Sequence, residues 1–147
     1  MAAEPLTAAA VLAAVPHRPP FRFIDEILEL DRDHVVAAYR FRPDADFYRG
    51  HFPGNPITPG VLLVETMAQA GVVALGIYLH GPDTGMVTLF TDATVEFTGI
   101  VRPGDRVLVR GRKLLFRRNL LRSAVEMTLE DGTVVCSGTL SGMGVAA

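Results

Sequence analysis

The sequence is poor in cysteine and carries almost no excess charge of either sign. Its single cysteine, Cys136, cannot close a disulfide within the chain, which excludes a secreted fold held by disulfides and fits a reducing, cytoplasmic setting. The formal net charge is only -2, so the chain lacks the surplus of Lys and Arg with which proteins bind the nucleic-acid backbone. The four histidines follow no His-x-x-x-His pattern and no Cys-x-x-Cys pair occurs, so no metal site is expected.

The composition is that of one folded domain. Of the 147 residues, 49% are hydrophobic and 20% are charged, and no linker, repeat or low-complexity tract divides the chain. The longest apolar run, 61–79, could cross a bilayer by length, but Glu65 within it would cost roughly 2.5–3.5 kcal/mol near the bilayer centre. We therefore predict a single domain over residues 1–147, with no membrane span and with this run as a helix buried in the core.

Most of the remaining chain has the β-branched and aromatic composition of strands. A short helix over 8–15, capped by Thr7 and ended by Pro16, is expected before them. Asp131-Gly132 is a strong signal for a type I′ hairpin turn, and 117–119 is a second expected turn. These features predict an α+β fold in which one long helix packs against a mostly antiparallel sheet. The predicted strands are 35–42, 86–98, 106–115, 120–130 and 133–140.

A proline-rich loop leads into the apolar helix. Pro53, Pro56 and Pro59 each fix a φ angle and keep the loop stiff. Thr58 is suited to the N-cap and Pro59 to the first helical position, which leaves the backbone N–H of Gly60 without an acceptor inside the helix. Such a donor, at the positive end of the helix dipole, can bind an anion or a developing oxyanion, unless the Thr58 hydroxyl accepts it instead.

Three polar residues around this loop have the chemistry of an active site. His51 precedes the loop and can take a proton near neutral pH, while Glu65 lies in the apolar helix with Gln69 one turn later to orient its carboxylate. Taken alone, a histidine in a loop, a glutamate near a helix start or a run of prolines more often has a structural role. Together they favour catalysis. The other histidines have no comparable setting and are assigned structural roles: His17, His34 and His80.

The run HFPGNPITPGVL at 51–62, continued by ETMAQ at 65–69, closely resembles the signature of the β-hydroxyacyl-acyl-carrier-protein dehydratases of fatty acid synthesis. The resemblance extends to VPHR at 15–18 and VRPGD at 101–105, and covers about residues 10–140. It implies a hotdog fold, in which an antiparallel sheet wraps a long helix. It also implies a homodimer with active sites shared between the protomers, which could assemble further as a trimer of dimers.

The same resemblance implies a role for each residue of the site. His51 would remove the C2 proton of a 3-hydroxyacyl thioester, Glu65 would help the C3 hydroxyl leave as water, and the Gly60 N–H would polarise the thioester carbonyl. No cofactor is implied, because the substrate is carried on the phosphopantetheine of an acyl carrier protein. A related branch that also isomerises its product has Asp in place of Glu65, so Glu65 favours dehydration alone. The residues expected to contact the substrate are Phe52, Pro53, Ile57, Val61, Gln69 and Phe90.

Two departures from the family pattern concern the shape of the acyl tunnel. Thr58 stands where the family commonly has Met, and Pro19 stands where Tyr is frequent. Neither residue takes part in the proposed chemistry. The usual saturated straight-chain substrate is therefore not implied, and a specialised pathway stays open.

Half of the positive side chains fall between residues 106 and 122, a segment without Asp or Glu that we call the basic strip. Acyl carrier proteins are acidic, so the basic strip is a candidate docking face. It could also be the solvated face of a hairpin whose charges prevent edge-to-edge aggregation. The residues assigned to docking are Arg110, Arg112, Lys113, Arg117 and Arg118, and Arg106 and Arg122 complete the strip.

Three functional classes are open at this point. A dehydratase needs both His51 and Glu65, whereas a hotdog thioesterase would use a carboxylate to direct hydrolysis and would release a free thiol. A non-catalytic acyl-binding protein needs neither residue. A hydratase acting on coenzyme A esters is the nearest alternative, but its Asp-x-Asn-Pro-x-His pattern is absent from the sequence. The presence of both residues favours the dehydratase.

Overall fold

Six strands form a single antiparallel sheet in the computed structural model, which describes residues 6–81 and 86–146. The strands are β1 (Glu26–Leu30), β2 (His34–Arg40), β3 (Met86–Phe97), β4 (Arg106–Arg117), β5 (Leu120–Leu129) and β6 (Val134–Ala146). Their order across the sheet is β1-β2-β4-β5-β6-β3, and every neighbouring pair is antiparallel. The predicted α+β hotdog architecture is confirmed.

One long helix, Gly60–His80, packs against the inner face of this sheet, and we call it the central helix. It consists of α2 (Gly60–Ala68), a π-helical segment (Gln69–Ala74) and α3 (Leu75–His80), while α1 (Ala8–Ala14) precedes the sheet. The central helix is long and apolar enough to cross a membrane, but 67% of its most apolar window is buried inside the protein. Its hydrophobicity is therefore explained by its position in the core.

The central helix approaches the sheet closely at a pair of glycines. A Cβ added at Gly111 on β4 would lie 2.9 Å from the Cα of Gly71, so neither strand nor helix has room for a side chain there. The buried hydroxyl of Ser123 on β5 donates to the Gly71 carbonyl over 2.7 Å, within the π-helical segment. These contacts fix the helix against the middle of the sheet and thereby position the residues at its N-terminus.

Both predicted hairpin turns are present, but the type I′ geometry occurs at the other one of the two. Between β4 and β5, Arg118 (φ 51°) and Asn119 (φ 70°) both have positive φ, as a type I′ turn requires. Between β5 and β6, only Gly132 (φ 91°) has positive φ, and its N–H donates to the Leu129 carbonyl. That connection is a three-residue loop with a glycine bulge, so the type I′ prediction for Asp131-Gly132 was wrong in type although the antiparallel pairing was right.

The strand boundaries differ from prediction mainly at the edges of the sheet. β1 was missed, because its five residues, EILEL, are rich in Glu and Leu rather than in β-branched residues. β6 continues beyond the predicted end at Leu140 to Ala146, where it pairs with the start of β3. The predicted cap of α1 is confirmed, since the Thr7 hydroxyl accepts from the Ala10 N–H over 3.0 Å.

Candidate active site

The central helix begins with two free backbone donors. Pro59, not Thr58, is the N-cap, and its carbonyl accepts from the N–H groups of Leu62 (3.0 Å) and Leu63 (3.3 Å). Among the described residues no acceptor pairs with the N–H of Gly60 or of Val61. Both groups therefore stand at the positive end of the helix dipole, available to a ligand oxygen.

Thr58 does not compete for these donors. Its side chain is 3% exposed, and its hydroxyl hydrogen-bonds with the Tyr48 hydroxyl over 2.6 Å. The N-cap prediction for Thr58 was therefore wrong, because its hydroxyl is engaged by a buried tyrosine instead of by the helix N-terminus. The same contact removes the alternative in which the Thr58 hydroxyl would accept the Gly60 N–H.

The loop before the helix holds His51 in one orientation. Its Nδ1 lies 2.8 Å from the Ile57 carbonyl oxygen, while the Ile57 N–H donates to the His51 carbonyl over 2.9 Å. The ring also stacks on Phe52, with centroids 4.1 Å apart. Since a carbonyl can only accept, the proton of the neutral ring is on Nδ1, and Nε2 is left as the basic nitrogen.

The second predicted catalytic group, Glu65, is held by its neighbour one turn later. The Gln69 Nε2 donates to Glu65 Oε2 over 2.8 Å and to the Phe21 carbonyl over 3.0 Å, while its Oε1 accepts from the Phe23 N–H over 2.8 Å. Gln69 is fully buried, and both of its N–H donors are used by these partners. The predicted orientation of Glu65 by Gln69 is thus present, and the Gln69 amide is used within the protein.

His51 and Glu65 do not meet within one chain. No ion pair joins them in the described part of the chain, and Glu65 instead lies in a cavity of about 200 Å³ to which His51 does not contribute. That cavity is formed between the central helix, at Val72 and Val73, and the exposed edge strand β3, at Leu89 and Phe90. Sequence spacing left open whether the two residues meet within one chain, and in the protomer they are not in contact.

Sequence reasoning did not assign a site role to His17, the second ionisable residue that lines this cavity. Its Nε2 lies 3.7 Å from Glu65 Oε2, and both side chains line the same space. His17 was assigned a structural role because it is 48 positions from Glu65 in the chain and no pattern of spacing connects them. The available signal was the VPHR segment, which was noted as part of the resemblance without a role for its histidine.

The predicted substrate contacts lie on two sides of the candidate site. Phe52, Pro53 and Val61 are exposed around the loop and the start of the helix, and Ile57 is half-buried beside His51. Gln69 is buried behind Glu65, and Phe90 lies in the cavity with Glu65. The Glu65 side thus holds Gln69 and Phe90, and the His51 side holds Phe52, Pro53, Ile57 and Val61.

The basic strip is partly neutralised. Lys113 pairs with Asp33 at 3.5 Å and Arg106 with Glu26 at 2.7 Å, and Glu126 lies directly opposite Arg110 in the β4–β5 register. Sequence spacing could not show these cross-strand neighbours. The basic strip residues that form no ion pair within the described ranges are Arg110, Arg112, Arg117, Arg118 and Arg122.

Two ionisable groups with shifted pKa values lie outside the candidate site. The carboxylates of Glu29 (3.2 Å) and Asp31 (2.9 Å) face the His34 ring and raise the pKa of that histidine. Burial raises the pKa of the Cys136 thiol to about 11, and its Sγ lies 3.8 Å from the sulfur of Met67. Both groups have structural surroundings and no link to the loop or the cavity.

Comparison with known proteins shows the family. Residues 15–140 match the model of the FabA-like domain. The chain is 37% identical over 131 residues to the 3-hydroxyacyl-acyl-carrier-protein dehydratase FabZ of Thermus thermophilus, covering 89% of this chain and 92% of the relative. It is 38% identical over 138 residues to the FabZ of Herpetosiphon aurantiacus, covering 92% and 95%.

Two solved structures share the fold at lower identity. The dehydratase heterocomplex ApeI:P from Xenorhabdus doucetiae superposes with a TM-score of 0.77 at 19% identity, covering 92% of this chain and 90% of that chain. A thioesterase from Haemophilus influenzae superposes with a TM-score of 0.71 at 17% identity, covering 97% and 93%. The chain therefore has the hotdog fold and belongs to the FabA-like family, alongside the FabZ dehydratases.

Proposed function

We propose that this protein dehydrates 3-hydroxyacyl thioesters on an acyl carrier protein to trans-2-enoyl thioesters, in fatty acid or related biosynthesis. The observation that carries the proposal is the orientation of His51, whose Nδ1 is engaged by the Ile57 carbonyl so that Nε2 is the free base. His51 and the unpaired Gly60 N–H both belong to the segment that enters the central helix. A base and an oxyanion donor together suit removal of a proton next to a thioester carbonyl.

The first half of the reaction uses the loop and the helix start. His51 Nε2 takes the C2 proton, and negative charge then builds on the thioester oxygen. The N–H of Gly60 donates to that oxygen, with the N–H of Val61 as a second free donor beside it. One preorganised donor of this kind is typically worth roughly 100- to 1,000-fold in rate.

The second half uses Glu65. Its carboxyl group gives a proton to the C3 hydroxyl, which leaves as water while the electron pair from C2 forms the double bond. Gln69 contacts Glu65 Oε2, which keeps the carboxyl group turned toward the cavity. We assign Gln69 to positioning rather than to substrate contact, because the side chain is fully buried and both of its N–H donors are used within the protein.

Completion of the site requires a second copy of the chain. β3 is an edge strand of 12 residues, and its side chains Leu89, Phe90 and Phe97 are about half exposed. A long apolar edge is a template for pairing with another strand, so we propose a homodimer joined through β3. Assembly into a trimer of dimers is compatible with this pairing.

The geometry of β3 supports a dimer that joins His51 to Glu65. Gly60 packs beside Phe97 at one end of β3, whereas the Glu65 cavity is lined by Leu89 and Phe90 toward the other end. In a two-fold antiparallel pairing, the Phe97 end of one strand lies beside the Leu89 end of the other. The His51 loop of one protomer then faces the partner's Glu65.

We propose that an acyl carrier protein delivers the substrate and docks at the end of the basic strip that holds Arg117 and Arg118. Leu120 and Leu89 are both aligned with Met143 on β6, and Arg117 on β4 pairs with Leu120, so Arg117 lies three strands from Leu89, or about 14 Å across the sheet. The guanidinium groups there can attract an acidic carrier and the phosphate of its phosphopantetheine.

Mass spectrometry of the intact thioester tests the proposed function. The protein is incubated with 3-hydroxyacyl chains of several lengths, attached either to an acyl carrier protein or to coenzyme A. We expect loss of one water with the thioester intact, and faster turnover on the carrier protein. Release of a free thiol would indicate the thioesterase instead, faster turnover on coenzyme A would indicate the hydratase, and binding without turnover would indicate an acyl-binding protein.

A further inference from the structure

His17 and Glu65 face a common space. The His17 Nε2 lies 3.7 Å from Glu65 Oε2, which is too long for a hydrogen bond between them. An oxygen atom placed between the two can nevertheless lie about 2.9 Å from each. Both side chains line the cavity of about 200 Å³ whose other walls are mainly apolar, so an incoming hydroxyl group finds few other polar partners there.

The proton of His17 can be assigned from its surroundings. Nδ1 is buried and has no hydrogen-bond partner among the described residues. Buried N–H groups are rarely left unpaired, so the neutral ring carries its proton on Nε2 and leaves Nδ1 as the bare nitrogen. The ring therefore presents an N–H to the space beside the Glu65 carboxyl group.

The fold does not need this N–H to hold the segment in place. Arg22 donates to the His17 carbonyl over 3.4 Å and to the Leu12 carbonyl over 2.7 Å, and Gln69 donates to the Phe21 carbonyl. These anchors are made to backbone atoms, and the described part of the chain makes no hydrogen bond to either ring nitrogen of His17. A purely structural role would leave the ring nitrogens without a task.

We propose that His17 is a further catalytic residue, whose Nε2–H donates a hydrogen bond to the C3 oxygen as that oxygen leaves. The inference rests on the proposed dehydration. The C2 proton goes to His51, the C2 electron pair forms the double bond, the C3–O bond breaks, and the oxygen takes a proton from Glu65 and departs as water. His17 keeps its proton throughout and stabilises the negative charge that develops on the oxygen.

Two amide variants separate this role from a structural one. His17→Gln places an amide nitrogen close to the position of the ring Nε2, whereas His17→Asn is of the same class but too short to reach it. Steady-state kinetics on a carrier-bound 3-hydroxyacyl thioester would be measured for both, with melting temperatures. His80→Asn is the matched control, because His80 packs on Phe116, away from the cavity.

We expect His17→Asn to lower kcat about 10- to 100-fold with KM changed less than about 3-fold, and His17→Gln to recover most of that loss. In a Glu65→Gln background the same His17→Asn change should cost less than about 3-fold, because both groups act on one oxygen. Equal activity of the two amide variants would overturn the inference, and so would a His17→Asn protein as fast as His80→Asn. In either case a wild type that removes water would still support the proposed dehydration. A wild type that removes no water would refute the proposed function and the inference with it.

Discussion

Replacement of Gly60 by proline removes one hydrogen-bond donor from the candidate site and puts a ring methylene in the place of its hydrogen. Proline is well tolerated at the first position of a helix, because the N–H that it lacks has no intrahelical acceptor there. The preceding residue, Pro59, has φ -58° and ψ 134°, which is the extended conformation that a following proline requires. The substitution therefore deletes the proposed oxyanion donor while the helix start is kept.

The matched control is Gly60→Ala, which adds the Cβ but keeps the N–H. That Cβ would lie 3.2 Å from the Cε1 of Phe97, so the ring must shift by a few tenths of an ångström. The contact is with the outer end of the ring, which a small rotation of the Phe97 side chain relieves. We therefore expect Gly60→Ala to lose less than about 10-fold in kcat and to keep a melting temperature close to that of the wild type.

For Gly60→Pro we expect a loss of about 100-fold in kcat, at the lower end of the usual range, because the free Val61 N–H stays in place. The loss belongs in kcat because the interaction strengthens as charge develops on the thioester oxygen. The assay is steady-state dehydration of a carrier-bound 3-hydroxyacyl thioester, with the thermal melting of each variant alongside. Equal kcat values for the proline and alanine variants would refute the oxyanion role of Gly60.

Three further predictions concern the surface and the core. Replacement of Arg117 and Arg118 by Glu should raise KM for carrier-bound substrate and leave turnover of a small thioester mimic unchanged; equal losses on both would mean that the basic strip is structural. Cys136, whose pKa is raised to about 11, should resist alkylation at about pH 8 in the folded protein and react once unfolded, and rapid labelling of the native protein would contradict its burial. Because the fold raises the pKa of His34 above its unfolded value of 6.5, the protonated ring stabilises the folded protein fully at pH values below that unfolded pKa. The loss of unfolding free energy in His34→Gln, measured with urea, should therefore be present at about pH 5.5 and disappear as the pH rises through the raised pKa; a loss independent of pH would contradict this.

The sequence was sufficient to predict the central helix, five of the six strands and the groups at the helix start. These features depend on local chemistry: an apolar run too uniform for a surface helix, proline-fixed φ angles, and an i, i+4 pair such as Glu65 and Gln69. The same local rules failed at the N-cap, because the Tyr48 hydroxyl that engages Thr58 is brought there by the fold. They also assigned the type I′ turn to the wrong hairpin, since Asp-Gly suits a glycine bulge as well and Arg118-Asn119 adopts positive φ without glycine.

Long-range contacts account for what the sequence could not supply. His17 reaches Glu65 only because Arg22 and Gln69 fasten its segment over the helix. The charge on the basic strip is reduced by Glu126, which becomes the neighbour of Arg110 only when β4 and β5 pair. The short separation of His51 and Glu65 in the sequence also gave no indication that His51 lies outside the cavity that Glu65 lines.

The division of the site between two protomers is tested most directly by mixing two inactive variants. His51→Ala and Glu65→Ala are each expected to lose roughly 100- to 10,000-fold in activity, and are then unfolded together and refolded as a mixture. In a mixed dimer one site carries both defects, while the other combines an intact His51 with an intact Glu65 from the partner. Random pairing should therefore restore roughly a quarter of the wild-type activity. No recovery in a mixture shown to contain mixed dimers would contradict the shared site, because every site contained in a single chain would still carry one defect.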